Sequence, residues 1–325
     1  KLMDIQRTGL LAVLGILTYV LFLQWNLFIE ADNPASAVSA QIQPSTETPK
    51  AGEVPSSSGV AQAPIAPISS NIVADQIIIS TSTADMAITL SGGDITQVLL
   101  KEFPVSLKNQ DQPIPLLDYV SRTYFAQSGL VGADGPDAST DGRPVYKAEQ
   151  PRYDITEPTD VSIQATADTG LVITKTFSID PARYDIKVTH TIQNTSDTAK
   201  IVSPFVQLKR DNSADPSIQN SMGMQAFLGY ALRTADERYR KVSFSDFETA
   251  IDARELNTEL KNNAVAGGYL ALLQHYFTSA WVPSGDQTHL YSLRTNQDSH
   301  FIGSIISPDI VIPAGETKQT SATFY

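Results

Sequence analysis

The sequence predicts an all-β protein, a large antiparallel β-sandwich, preceded by one transmembrane α-helix and a disordered linker. Three observations carry that expectation. An uncharged apolar run lies near the start, a Pro- and Ser-rich stretch follows it, and many short segments with period-two alternation fill the remaining length. The chain has 325 residues, 42% of them hydrophobic, enough to build a core, so wholesale disorder is excluded.

The first element is the run from Gly9 to Ile29, interrupted only by the polar residues Thr18, Gln24 and Asn26. At about 1.5 Å per residue it reaches roughly 30 Å, the thickness of a bilayer's hydrocarbon layer. Lys1 and Arg7 precede it, Glu30 and Asp32 follow it, and Trp25 sits at the exit end where an amphipathic ring settles among headgroups. Residues 1–8 are therefore expected in the cytoplasm, with 9–29 as the anchor and Arg7 and Trp25 as its flanks. A cleavable signal peptide is the competing reading, because Ala35-Ser36-Ala37 is a small-x-small site. The apolar run exceeds the roughly 7–15 residues of a signal peptide, which favours the uncleaved anchor.

The second element, residues 30–70, carries Pro34, Pro44, Pro49, Pro55, Pro64 and Pro67 and no aromatic residue. It has too little apolar surface to offset backbone ordering and reads as a tether.

The third element, residues 71–325, reads as β. Tyr184, Ile186, Val188, His190 and Ile192 alternate with Asp185, Lys187, Thr189, Thr191 and Gln193, the pattern of a strand with one wet face. Val161 to Thr166 and Leu171 to Ile179 are joined through Asp168-Thr169-Gly170, a hairpin connection. Further β-type segments are 77–79, 87–90, 269–273, 301–306 and 317–325, while 134–146, rich in Gly, Pro and Asp, reads as a loop. The stretch 248–263 is open between a short helix lined by Ile251, Leu256 and Leu260 and an irregular loop.

Chemistry-bearing motifs are scarce. A formal charge of -12 without a basic block excludes nucleic-acid binding, and with no cysteine there is no disulfide, thiolate nucleophile or Cys-based zinc site. The histidines at 190, 275, 289 and 300 show no metal-ligand spacing. His190 and His275 read as packed side chains, His190 as a core histidine satisfied by a neighbouring group. Gly92-Gly93 and Gly267-Gly268 each precede a strand-like segment, where positive φ or a bulge calls for residues without a Cβ. Asn194-Thr195-Ser196 matches a glycosylation sequon, a pattern short enough to arise by chance. Nothing in the sequence points to a cofactor.

Several stretches together resemble the YidC membrane protein insertase family of the Gram-negative type. Met3-Asp4-Ile5-Gln6-Arg7 leading into the apolar run is similar to that family's start. So are 91–95 (Ser-Gly-Gly-Asp-Ile), 126–130 (Ala-Gln-Ser-Gly-Leu) and 174–177 (Thr-Lys-Thr-Phe). The longest match runs from Gly267-Gly268 through Gln274, Tyr276, Phe277 and Trp281 to Pro283. The resemblance implies a galactose mutarotase-like β-supersandwich in the periplasm, anchored in the inner membrane, and no enzyme. It implies assistance to insertion and folding of inner-membrane proteins, with the lipid bilayer, nascent membrane proteins, and the Sec translocon with SecD/SecF as partners. The family's insertase groove, built by five further transmembrane helices around a buried arginine, is expected to be absent from these residues. A membrane-anchored periplasmic carbohydrate-binding or mutarotase-like protein is the rival reading, and it would need a histidine and a carboxylate converging in a cleft. A third reading is a module whose cleft accepts an extended peptide or a glycan.

Overall fold

The computed structural model describes residues 76–106, 109–213, 227–262, 264 and 266–325, together with Pro55, with side chains described throughout except at 250–252. The expected anchor 9–29, with Arg7 and Trp25, lies outside the described residues, as does the tether apart from Pro55. Among the described residues no helix is long and apolar enough to cross a membrane.

Strands dominate, in chain order β1 (Gln76–Ser80), β2 (Ala84–Thr89), β3 (Ile95–Ser106), β4 (Asn109–Asp118), β5 (Tyr124–Val131), β6 (Lys147–Ala148) and β7 (Arg152–Asp154). They continue with β8 (Thr159–Thr166), β9 (Leu171–Ile179), β10 (Ile186–Asn194), β11 (Lys200–Arg210), β12 (Gly229–Leu232) and β13 (Arg240–Ser243). After helix α1 (Ala250–Asn262) come β14 (Leu270–Leu273), β15 (Thr278–Pro283), β16 (Leu290–Thr295), β17 (Phe301–Ile306), β18 (Ile310–Ile312) and β19 (Thr317–Phe324).

These strands form two sheets. The first runs β16-β17-β11-β5-β4-β3-β2-β1-β7 with β18 on β11, and the second runs β13-β12-β14-β15-β19-β10-β9-β8-β6. Pairing is antiparallel as expected, save that β7 lies parallel to β1 at an edge. Alternation sets the inward face. In β9, Leu171, Ile173, Phe177 and Ile179 are buried, and in β10 so are Ile186, Val188 and Ile192. These side chains meet inward residues of the first sheet, such as Ile88, Ile95 and Leu208, in one core. A large antiparallel β-sandwich results.

β10 starts at Ile186, so Tyr184 is not an inward strand residue but an exposed one in the preceding turn. Within segment 248–263, residues 250–262 form a helix, because Ala253, Leu256 and Leu260 make one apolar stripe against the core. From its flank, Asn257 donates Nδ2 to the Leu293 carbonyl (2.7 Å) and accepts the Leu293 N–H at Oδ1 (2.7 Å). That pair occupies backbone groups of edge strand β16, which would otherwise face outward for pairing. The sequon residue Asn194 is buried and structural, donating to the carbonyls of Thr198 (2.7 Å) and Ile312 (2.9 Å).

Candidate functional site

Two features stand out between the sheets, a buried ionic seam and an apolar cleft. The seam begins at the β2–β3 turn, where Gly92 (φ 74°) and Gly93 (φ 64°) turn the chain and aim their carbonyls inward. A Cβ on Gly92 would lie 2.4 Å from the Arg143 guanidinium carbon, so this close approach admits only glycine. Arg143, from the loop 132–146, donates Nε to Asp137 (2.7 Å), Nη1 to Asp94, and Nη2 to the Ser128 carbonyl (2.9 Å). Asp137 also accepts the Leu130 N–H (2.8 Å). From the opposite sheet, Lys175 donates Nζ to the carbonyls of Gly92 (2.7 Å), Ser128 (2.9 Å) and Gly93 (3.1 Å). Asp94 accepts Gln127 (2.6 Å), Gln127 accepts Gln207, and Gln207 accepts Ser304 (3.0 Å), which extends the seam across β5, β11 and β17.

All four charged side chains are fully buried, two of each sign. Burial raises the Asp94 pKa against the pull of Arg143 and Lys175. It lowers Lys175 to about 8 against the pull of Asp94. Burial also opposes the Arg143 charge, but Asp94 and Asp137 outweigh it and hold that pKa above its usual value.

His190 lies opposite Lys175 on the paired strand, and burial, reinforced by Lys175 and Arg143, drives its pKa well below the usual 6.5. Its Nε2 has no hydrogen-bond partner, which corrects the expectation of a satisfied core histidine. His275 is also not packed inside. It is exposed in the β14–β15 turn with its ring 4.0 Å from that of Tyr276.

The cleft, with a volume of about 310 Å³, opens at the end of the sandwich where the β1–β2, β9–β10 and β14–β15 turns meet. Ala84, Met86, Val98, Leu100, Ile186 and Phe324 supply apolar walls. Thr83 Oγ1 and Ser82 Oγ both donate to the Pro181 carbonyl (3.3 and 2.6 Å), tying two of these turns together. The projecting end of the β3–β4 hairpin brings Phe103 to the mouth, edge-on to Phe277 (5.4 Å between centroids) and 6.3 Å from Tyr184. Tyr184 donates to Glu102 (2.5 Å), and its pKa is pushed up to about 12 by burial and that carboxylate. Arg183 is engaged twice by Asp185, at 2.7 and 3.0 Å.

The remaining residues singled out in the sequence divide between packing and the cleft. Gly267 (φ 66°) and Gly268 (φ 103°) lead into β14, and a Cβ on Gly268 would meet the Tyr291 hydroxyl at 2.3 Å. Gln274 accepts Arg210 (2.8 Å), Trp281 is buried and donates to the Gln207 carbonyl (3.1 Å), and Pro283 is buried. Tyr276, 70% exposed, and Phe277 line the cleft. Sequence reasoning missed the seam and the cleft, although Lys175 stands in phase with the buried apolar residues of β9.

Fold and site together define a β-sandwich head with an apolar opening at one end and, among the described residues, no group of three or more potential metal ligands. Comparison with known proteins identifies the family. Residues 76–325 match the YidC periplasmic domain. Aligned over 337 positions that cover 99% of it, the chain is 37% identical to the membrane protein insertase YidC of Pseudomonas fluorescens (strain SBW25). Aligned over 334 positions, which again cover 99% of the chain, it is likewise 37% identical to that of Azotobacter vinelandii. The chain belongs to the YidC family, and it spans 58% of the length of each of these two relatives. Among solved structures, a galactose mutarotase related enzyme from Lactobacillus acidophilus matches with a TM-score of 0.46 and 9% identity, covering 77% of this chain and 96% of that one. A putative aldose 1-epimerase from Escherichia coli K12 matches at 0.44 and 7%, covering 77% and 97%. Likeness this remote transfers no reaction and no ligand.

Proposed function

We propose that this chain is the anchored, periplasm-facing accessory part of a YidC-type insertase. Residues 9–29 hold it in the inner membrane with the N-terminus in the cytoplasm, residues 30–70 space it from the bilayer, and the β-head lies beside the site where inner-membrane proteins insert and fold. It works alone or with the Sec translocon and SecD/SecF, and the insertase groove itself is not in these residues. The observation that carries this reading is the alignment of 99% of the chain with named insertases. The rival carbohydrate-binding or mutarotase-like reading asks for a histidine beside a carboxylate in the cleft, whereas the lining includes Asp185, engaged by Arg183, and no histidine.

Photo-crosslinking tests the proposal. A photoreactive residue replaces Tyr239, exposed immediately before β13 and outside the cleft lining, while an inner-membrane protein is being synthesised. Adducts with the nascent membrane protein or with Sec components, exceeding those formed while a secreted protein is exported, are expected. Equal labelling of both cargoes, with no Sec adduct, would refute the reading.

A further inference from the structure

We propose that the aromatic end of the sandwich rests on a lipid bilayer surface with its exposed rings in the headgroup layer, an inference that rests on the anchored insertase reading above. Among the described residues ten large hydrophobic side chains are exposed, and four of them, Phe103, Tyr184, Tyr276 and Tyr325, ring this one opening at 41% to 70% exposure. They come from the β3–β4 hairpin end, the β9–β10 and β14–β15 turns and the residue after β19, so the fold itself gathers them at one end. A cluster of this kind marks an interaction surface. Three of the four are tyrosines, whose apolar ring and polar hydroxyl suit the boundary between hydrocarbon and water.

Charge and polarity decide for lipid. In a chain that carries -12, this end is close to balanced. Lys101 meets Asp85 (2.7 Å), and Arg183 is held by Asp185 (2.7 Å) in the added field of Asp180, which with Glu102 leaves only a small negative excess. A zwitterionic headgroup layer accepts such a surface, whereas a strongly charged protein partner would find little to pair with. The polar groups of the rim are already occupied. Ser82 and Thr83 donate to the Pro181 carbonyl (2.6 and 3.3 Å) and Tyr184 donates to Glu102 (2.5 Å), so contact with the headgroup layer strands few of them. The chain itself supplies the reach. In the anchored reading the residues between Ile29 and Gln76 are the tether, and a flexible chain of that length spans on the order of 35–40 Å, which keeps lipid at high effective concentration beside the head.

The experiment uses the whole chain, one copy per phosphatidylcholine nanodisc, with a lipid that carries a nitroxide near its headgroup as quencher. The sequence has no cysteine, so a fluorophore can be placed at one site through His275→Cys, in the exposed β14–β15 turn, or through Asp168→Cys. Asp168 is exposed in the β8–β9 turn at the other end of the nine-residue strand β9, about 30 Å away. Quenching at 275 is expected to exceed that at 168 about threefold or more, and the contrast should survive about 1 M salt, because apolar contact is not screened. Phe103→Ser combined with Tyr276→Ser, both at exposed positions, should bring quenching at 275 down to the level at 168 while the β-sheet circular dichroism stays that of the parent. Equal quenching at the two sites, a contrast that needs an anionic lipid or disappears in salt, a contrast that appears only with two copies per disc, or a folded double variant without effect would each overturn the inference. If the contrast is absent while the adducts at Tyr239 still favour membrane proteins, the lipid contact falls and the family function stands; a contrast present without that preference gives the reverse.

Discussion

Lys175→Met is the most direct test of the buried seam. Methionine keeps the apolar stem but removes the ammonium that donates to the carbonyls of Gly92, Gly93 and Ser128. It also leaves two buried carboxylates, Asp94 and Asp137, facing the single cation Arg143. Breaking a buried ionic arrangement from one side costs about 3–5 kcal/mol, because the uncompensated charge stays buried. For a head spanning 76–325, at about 2–4 °C per kcal/mol, the thermal midpoint should fall by roughly 6–20 °C. Urea unfolding followed by the fluorescence of the buried Trp281 reads the free energy directly. Two controls sharpen the result. Arg152→Met, which breaks the exposed Arg152–Asp154 pair, should leave the curve in place. Adding Asp94→Asn to Lys175→Met restores charge balance, so the double variant should lose less than the two single losses combined. A Lys175→Met protein within about 1 kcal/mol of the parent, or a strictly additive double variant, would refute the claim that the four charges act as a unit.

His190 supplies a pH test. Its folded pKa lies well below the usual 6.5, so in acid the unfolded chain binds a proton that the native head excludes, and stability present above pH 6.5 is lost as the pH falls. Urea midpoints at pH 7 and pH 5.5 should converge in His190→Gln relative to the parent, by up to about 1.4 kcal/mol per pH unit, and an unchanged acid slope would contradict this. Asn257→Ala should cost about 1–3 kcal/mol, since two backbone groups of β16 lose their partner. It should also produce concentration-dependent association by sedimentation, and a variant that stays monomeric would show that the helix does not guard this edge. Gly268→Ala combines positive φ with a clash on Tyr291, whereas Gly142→Ala (φ 107°) meets nothing within 4 Å. The first should lose clearly more than the roughly 1–2 kcal/mol of backbone strain expected for the second, and equal losses by urea titration would rule out the clash.

The β-class was legible because alternation is a local property, as β9 and β10 demonstrate. The same alternation placed Lys175 and His190 on the inward face, so two members of the seam could be found from phase alone. Asp94, Asp137 and Arg143 could not, because they sit in turns and loops whose partners are fixed by sheet order. Arg143 reaches a residue 49 positions away at Asp94. The cleft was hidden for a related reason: three separate turns and one hairpin end build it, and nothing local marks them as neighbours. Helix α1 stayed ambiguous because its buried stripe rests on few residues in an otherwise polar stretch.

Strand β19 lies between β15 and β10, pairing with Trp281 to Pro283 on one side and with Ile186 to Gln193 on the other. The second sheet is therefore sewn together by residues 317–324, among the last of these 325 to leave the ribosome. Its two halves have no shared ladder until that stretch arrives, which makes its emergence the moment at which the sheet can close. A nascent chain interrupted before residue 317 would present two open strand edges, a form suited to chaperone capture or proteolysis.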